Sequence, residues 1–183
     1  VADYGPGDLA HSEMVLTLGA VMPEGWTLWP TTMDSFDTLG TGFCVSQLAL
    51  HANSRRPKDL VIYANCAPRK DLTDARRNNQ GEKLVFVRLK NGVPVVIVNS
   101  GYSLSFIRDE IAELWSVSVS REGSQFRSRD LFPPIVGKVA RGDFDFLKES
   151  LDYNDRSVIP DYPTGVVAYR DSFGNLKTTY RDG

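Results

Sequence analysis

Val93-Pro94-Val95-Val96-Ile97-Val98 decides the fold of this chain. The run is apolar throughout and rich in β-branched side chains, which is typical of a strand in a sheet covered on both faces. Leu60-Val61-Ile62-Tyr63-Ala64 has the same character, and Leu84-Val85-Phe86-Val87-Arg88-Leu89 also predicts a strand. We therefore expect a sheet whose two faces are both covered.

Two apolar stripes with helical spacing precede these strands. One follows Asp8, which is placed to cap a helix, and consists of Met14, Val15, Leu18 and Val21. The other begins near the turn formers Asp34 to Asp37 and consists of Val45, Leu48, Ala49 and Ala52. The pattern predicts an α/β domain in which one mixed or mostly parallel sheet is layered between helices.

A third helix is expected at the end of the block Ser124-Gln125-Phe126-Arg127-Ser128-Arg129-Asp130-Leu131-Phe132-Pro133-Pro134. The two prolines suit a first helical turn, and Ser128 or Asp130 is placed to cap it. Unpaired N–H groups at a helix start beside Arg127 and Arg129 favour an anion site. The alternative is structural: Ser128 caps the helix and Arg129 pairs with Asp130.

After Gly142 the pattern loosens into a polar stretch that ends with Pro160 and Pro163. We expect one domain at 1–150 and a linker at 151–163. Residues 164–183 would then form the first hairpin of a C-terminal β domain that is truncated or lost. A lone hairpin is marginal, so it needs packing against the main domain or a neighbouring subunit.

Composition excludes several partners. The 21 Lys and Arg residues nearly balance the 23 Asp and Glu residues, and a net charge of -2 argues against nucleic acid or a membrane surface held by bulk electrostatics. No apolar run approaches the ~20 residues of a membrane span. Cys44 and Cys66 lack the spacing and the His neighbours of a metal site, so we expect free thiols in a reducing cytoplasm.

Three blocks carry a resemblance. The chain opens with Val1-Ala2-Asp3-Tyr4-Gly5-Pro6-Gly7-Asp8, continues to the Phe126 to Pro134 block and ends near Tyr169-Arg170-Asp171-Ser172-Phe173-Gly174-Asn175. In this order and spacing they resemble the S-adenosylmethionine (SAM) hydroxide adenosyltransferases and the SAM-dependent fluorinases and chlorinases. The resemblance implies SAM as substrate, no metal or other cofactor, and a homotrimer in which each ligand lies between one subunit's main domain and its neighbour's barrel.

The resemblance assigns the binding residues. Asp3 would hold the ribose hydroxyls, with Asp8 beside the ligand and Phe36 as an apolar wall. The alternatives are a turn residue for Asp3, a helix cap for Asp8 and core packing for Phe36. Asn99, in Val98-Asn99-Ser100-Gly101, stands where the family has Pro-Asp-Asn-Gly or Pro-Asn-Asn-Gly.

Further roles fall on the later blocks. Asp171 would engage the methionine amino group, while Phe173 and Asn175 line the site. The alternative for this stretch is a hairpin turn. Phe126 would also contact the ligand, and Ser128 occupies the position at which fluorinases contact the halide.

The chemistry-bearing region departs from the family. Hydroxide-using relatives carry Asp-Pro-Gly-Val-Gly followed by an Arg, and a His in the Phe126 block. This chain has Ala67 in place of that Asp and Arg127 in place of that His, with Arg76 or Arg77 as the nearest arginine. Alanine cannot orient or deprotonate water. Fluorinases have a Tyr at the position of Ala67 and a long insertion, and this chain has neither.

The catalytic set implied by the resemblance is therefore Ser128, Arg127 and Arg76. We expect cleavage of SAM by displacement at the 5′ carbon of its ribose, with water or hydroxide as nucleophile, giving adenosine and methionine. One alternative is a halogenase using chloride or another halide, suggested by Ser128. The other is a catalytically inactive subunit that binds adenosyl ligands or serves assembly, suggested by Ala67 and Arg127.

Overall fold

The computed structural model describes residues 1–5, 7–51, 59–66, 83–119 and 126–180. Its centre is a five-stranded sheet in the order β1-β3-β2-β4-β5. The strands are β1 (Ile62–Ala64), β2 (Leu84–Leu89), β3 (Pro94–Val98), β4 (Ile111–Val117) and β5 (Leu147–Ser150). The three apolar runs in the sequence thus form β1, β2 and β3.

The sheet is mixed. β1 runs parallel to β3, whereas the pairs β2 with β3, β2 with β4, and β4 with β5 are antiparallel. The predicted α/β fold with a mixed sheet is confirmed, and the mostly parallel alternative is wrong. Every residue of β3 is buried because both faces of the sheet are covered, which accounts for its unbroken apolar run without requiring parallel neighbours.

Helices cover both faces of the sheet. They are α1 (Leu9–Val21), α2 (Thr38–Leu50), α3 (Arg127–Asp130) and α4 (Pro133–Ala140). Phe86 and Val96 pack with α1 and α4 in one core cluster, while Val87 and Ile97 pack with α2 in the other. This alternation follows the two-residue period of a strand, which sends neighbouring side chains to opposite faces.

Two further segments extend the parallel part of the sheet. Ala2 forms parallel bridges with Thr32 on one side and Asn65 on the other. Its nitrogen donates to the carbonyl of Thr31 at 3.0 Å, and its carbonyl accepts from the nitrogen of Met33 at 2.8 Å. Residues 31–33, residues 1–3, β1 and β3 therefore all end at the same side of the sheet.

All three expected helices are confirmed, but the third lacks its expected side-chain cap. Asp8 caps α1, with Oδ1 accepting from the nitrogen of Ala10 at 2.8 Å, and Asp37 caps α2. The third helix is α4, which carries both prolines in its first turn and has no side-chain cap. Ser128 and Asp130 lie in the separate short helix α3, so the expectation that one of them caps the proline helix is wrong.

The segment expected as a linker lies firmly on the domain. Ser105 Oγ donates to the carbonyl of Pro160 at 2.6 Å, and the Phe106 and Tyr162 rings stack with their centres 4.2 Å apart. The buried Arg108 donates from Nη1 to Oδ1 of Asp161 at 2.7 Å. We call residues 158–162 the strap.

A small hairpin follows the strap. β6 (Val167–Arg170) pairs antiparallel with β7 (Leu176–Thr178), as the sequence predicts. The Tyr169 ring stacks on Phe43 of α2 with centres 5.7 Å apart, so this aromatic side chain is covered by the chain's own domain rather than by a neighbour. Phe173 is 91% exposed. Within the described residues, no helix has the length and apolar character needed to cross a membrane.

Candidate functional site

Polar side chains gather where the four parallel segments end. Ligands of open α/β sheets bind beyond the carboxyl ends of strands, because backbone groups and loop side chains converge there. We call this region the carboxyl edge, and its described residues are Asp3, Tyr4, Phe36, Asp37, Asn65, Cys66, Asn99 and Ser100.

Asp3 and Phe36 are brought together at this edge. The nitrogen of Phe36 donates to Oδ2 of Asp3 at 3.0 Å. Phe36 has a φ of 65°, the left-handed region that side chains with a Cβ rarely adopt, and its side chain is 44% exposed. The hydrogen bond to Asp3 supports this unfavourable backbone and also fixes the direction of the carboxylate. Such strain persists only where the surroundings over-determine it.

A buried layer of small side chains lies beneath Asp3. Cys66 is 1% exposed, and burial, followed by the nearby charge of Asp3, raises the pKa of its thiol to about 12. Thr41, in the first turn of α2, is fully buried, and its hydroxyl lies close to the Cys66 thiol. The thiol remains neutral at physiological pH, so Cys66 does not supply a nucleophile.

Tyr4 and Ser128 join the edge to α3. Tyr4 Oη and Ser128 Oγ are 2.6 Å apart, and Asn65 Nδ2 donates to Tyr4 Oη at 3.3 Å. Behind them, the hydroxyl of Tyr63 donates to the main-chain carbonyl of Ser128 at 3.3 Å. Ser128 thus lies at the carboxyl edge although it is 124 residues from Tyr4 in the chain.

Asn99 has a structural partner. Its Nδ2 donates to the carbonyl of Val158 in the strap at 2.9 Å. The next residue, Ser100, is buried and donates from Oγ to the carbonyl of Cys66, which ties the end of β3 to the end of β1. Gly101 follows with a φ of 47°, where a Cβ would collide with Thr38 Oγ1. The backbone at the end of β3 is therefore tightly held.

The arginines of the Phe126 block pack against rings. The guanidinium of Arg127 lies 5.2 Å from the centre of the Phe132 ring. Arg129 lies 4.9 Å from the centre of Phe126 and pairs with Asp130 at 2.6 Å, so the predicted ion pair is confirmed. Phe126 is 55% exposed. The helix start favoured for an anion is that of α4, where Pro133 and Pro134 have no N–H to offer, and the anion site stays a prediction.

Two other groups of predicted residues have structural roles. Asp8 caps α1, as described above. In the β6–β7 turn, Asp171 Oδ1 accepts from the nitrogens of Phe173 and Asn175, both at 2.9 Å, and Oδ2 accepts from Asn175 Nδ2 at 2.8 Å. Asn175, then Phe173, hold the pKa of the Asp171 carboxyl below its usual range by these hydrogen bonds. Within one chain, these three residues therefore form a hairpin turn, which is the alternative that the sequence leaves open for them.

Arg76 and Ala67 lie outside the described residues, so the roles implied for them stay predictions. Within the described part of the chain, no group of three or more His, Cys, Asp or Glu side chains is arranged to hold a metal ion. Sequence reasoning missed Tyr4 and Asn65 at the carboxyl edge and Thr41 in the buried layer beneath it. Asn65 directly follows the apolar run that forms β1, and this position at a strand end could have marked it as a candidate site residue.

The structure also contains a cavity of about 700 Å³. It is bounded by α1, by residues 24–31 and by residues 59–63, and its lining includes Met14, Trp26 and Leu28. Among the predicted site residues that the structure describes, none lines this cavity.

Comparisons with known proteins bear on the fold. No family model and no curated protein matches this chain. The structure is similar to the crystal structure of an uncharacterized conserved protein from Thermotoga maritima, with a TM-score of 0.69 and 16% identity, covering 97% of this chain and 68% of that one. It is also similar to a conserved hypothetical protein from Thermus thermophilus, with a TM-score of 0.61 and 16% identity, covering 98% of this chain and 72% of that one. At this identity the likeness shows the fold alone.

Proposed function

We propose that this protein binds SAM at the carboxyl edge and cleaves it by displacement at the ribose 5′ carbon, releasing adenosine and methionine. The observation that carries the proposal is the placement of Asp3. Its carboxylate stands at the end of a parallel segment, where ligands of such sheets gather, and its direction is fixed by the nitrogen of Phe36.

A fixed carboxylate suits a ribose diol. An ionised carboxylate has about four lone-pair sites on its two oxygens and donates nothing. The bond from Phe36 uses one site on Oδ2, so acceptor capacity remains for two adjacent hydroxyls. The half-exposed Phe36 ring beside it offers an apolar surface to the nucleoside.

The reaction requires little acid–base catalysis from the protein. The sulfonium of SAM is already an activated leaving group. As the new C–O bond forms, the C–S bond breaks, its electron pair passes to sulfur, and the attacking water loses a proton to solvent unless hydroxide attacks directly. The site then has to desolvate and aim one small nucleophile. We assign the contact with that nucleophile to the Ser128 hydroxyl at the carboxyl edge.

A second candidate is binding of SAM or adenosine without turnover. Ala67 favours it, because this position in the resembling hydroxide-using enzymes carries a carboxylate. Arg127 favours it too, because its guanidinium packs over the Phe132 ring where those enzymes have a His.

We also propose that the site is completed in a homotrimer. Phe173 is 91% exposed at the tip of a hairpin whose first strand packs on α2 through Tyr169. A large exposed ring on a firmly held turn is suited to contact a neighbouring subunit. Asp171 and Asn175 of that turn would then reach the neighbour's ligand.

Chromatography of SAM incubated with the whole chain, with and without chloride, tests the function. Adenosine with methionine in equal amounts supports the water or hydroxide reaction, and 5′-chloro-5′-deoxyadenosine supports a halogenase. Unchanged SAM together with calorimetric binding supports the non-catalytic candidate. Unchanged SAM without binding overturns the proposal.

A further inference from the structure

We propose that Tyr4 is a positioning residue that fixes the direction of the Ser128 hydroxyl, so that the Ser128 proton points toward the nucleophile. This inference rests on the proposed function, because it assigns a task to Ser128 in SAM cleavage.

The hydrogen bond from Asn65 limits what Tyr4 does with its own proton. The Asn65 Nδ2 group can only donate, and it lies 3.3 Å from Tyr4 Oη, so the phenol oxygen accepts from Asn65. Tyr4 Oη and Ser128 Oγ are 2.6 Å apart, and either oxygen could donate in this pair. We take Tyr4 as the donor, which leaves the Ser128 proton to point away from Tyr4.

The environment keeps Tyr4 a donor. Tyr4 is half-buried, and burial raises the pKa of its phenol, so the hydroxyl stays protonated through the neutral range. The ring also lies against His11, with centres 6.4 Å apart and a 28° angle between planes. The side chain therefore has little freedom to redirect its hydroxyl.

Ser128 is held as a whole as well. The Tyr63 hydroxyl donates to its main-chain carbonyl, so the peptide is fixed independently of the side chain. A serine hydroxyl otherwise rotates to suit its partners, and the bond from Tyr4 removes that freedom. A chain of hydrogen bonds from Asn65 through Tyr4 to Ser128 also polarises the final donor. The result is an oriented O–H for an atom with lone pairs, such as water, hydroxide or a halide.

Tyr4→Phe tests the inference, with Tyr153→Phe as the matched control. Both variants remove one phenol oxygen, but Tyr153 packs against the core cluster on the opposite face of the sheet. We expect Tyr4→Phe to lower kcat about tenfold, less than the ~10²-fold typical of deleting a donor outright, with KM for SAM within about twofold. Tyr153→Phe should leave kcat within about twofold.

The double variant Tyr4→Phe with Ser128→Ala separates positioning from a structural effect. If Tyr4 acts through Ser128, the double variant loses no more rate than Ser128→Ala alone. Multiplying losses would overturn the inference, as would a Tyr4→Phe rate equal to that of wild type while wild type cleaves SAM. A wild-type chain that leaves SAM intact overturns the proposed function instead, and the role of Tyr4 falls with it.

Discussion

The Phe36 nitrogen and Asp3 Oδ2 are joined by a 3.0 Å hydrogen bond, and Phe36 holds a left-handed backbone to make it. Two segments that lie 33 residues apart are thereby locked at the carboxyl edge. The conformation of the loop after residues 31–33 and the direction of the Asp3 carboxylate depend on each other.

Asp3→Ala should weaken SAM or adenosine binding by about 1.5–3 kcal/mol, the range of hydrogen bonds to a charged group. Asp34→Ala is the matched control, because it removes an exposed carboxylate from the neighbouring loop and should leave affinity unchanged. Isothermal calorimetry measures both. Equal affinities for wild type and a folded Asp3→Ala protein would remove Asp3 from the site.

Phe36→Gly and Phe36→Ala should differ in stability. Both remove the ring, but only glycine adopts a φ of 65° without steric cost, so the Gly variant should unfold with a free energy about 1 kcal/mol higher than the Ala variant. Urea unfolding followed by circular dichroism measures the difference. An Ala variant as stable as the Gly variant would show that the backbone at Phe36 is not strained in solution.

Cys66 should make stability depend on alkaline pH. Its folded pKa is raised to about 12, while an unfolded thiol ionises near ~8.5. The stabilisation is thus fully present below ~8.5 and is lost as pH rises toward 12. Between pH 7 and pH 10, wild type should lose up to about 2 kcal/mol more unfolding free energy than Cys66→Ala. Urea titrations under reducing conditions measure this, and identical pH dependence of the two proteins would contradict it.

Hairpin docking and subunit assembly should respond to different side chains. Phe43→Ala removes the ring that Tyr169 stacks on, so protease cleavage in residues 164–180 should become faster in the monomer. Phe173→Ser changes a 91% exposed ring and should leave that cleavage unchanged while weakening the proposed trimer. Limited proteolysis and light scattering measure the two effects. A wild-type chain that stays monomeric at all concentrations would argue against the trimer.

The sequence predicts the centre of the sheet better than its rim. β2 and β3 are detectable because burial on both faces leaves them almost entirely apolar. β4 carries Glu113 and Ser116, and β5 carries Lys148 and Glu149, so neither shows a run that marks a strand. Strand direction is also hidden, because covering both faces produces the same composition in parallel and antiparallel neighbours.

The site is predictable where it follows strand ends. Asp3 and Asn99 come directly after such ends, and the sequence places both at the carboxyl edge. The bond between Tyr4 and Ser128 is not predictable in this way, because it spans 124 residues and depends on how α3 lies on the sheet. The sequence also does not predict that the Phe126 block contains two helices. The prolines mark only the start of α4, and nothing in the pattern marks the start of α3.

The strap has a mechanical consequence. With Asp161 paired to a buried arginine, Pro160 bonded to Ser105 and Tyr162 stacked on Phe106, residues 158–162 cannot serve as a hinge. Tyr169 then fixes the hairpin a few residues later. The hairpin that carries Phe173 is therefore held at a set angle to the domain, and toward the ligand proposed above, its tip would act as a rigid rim rather than as a closing flap.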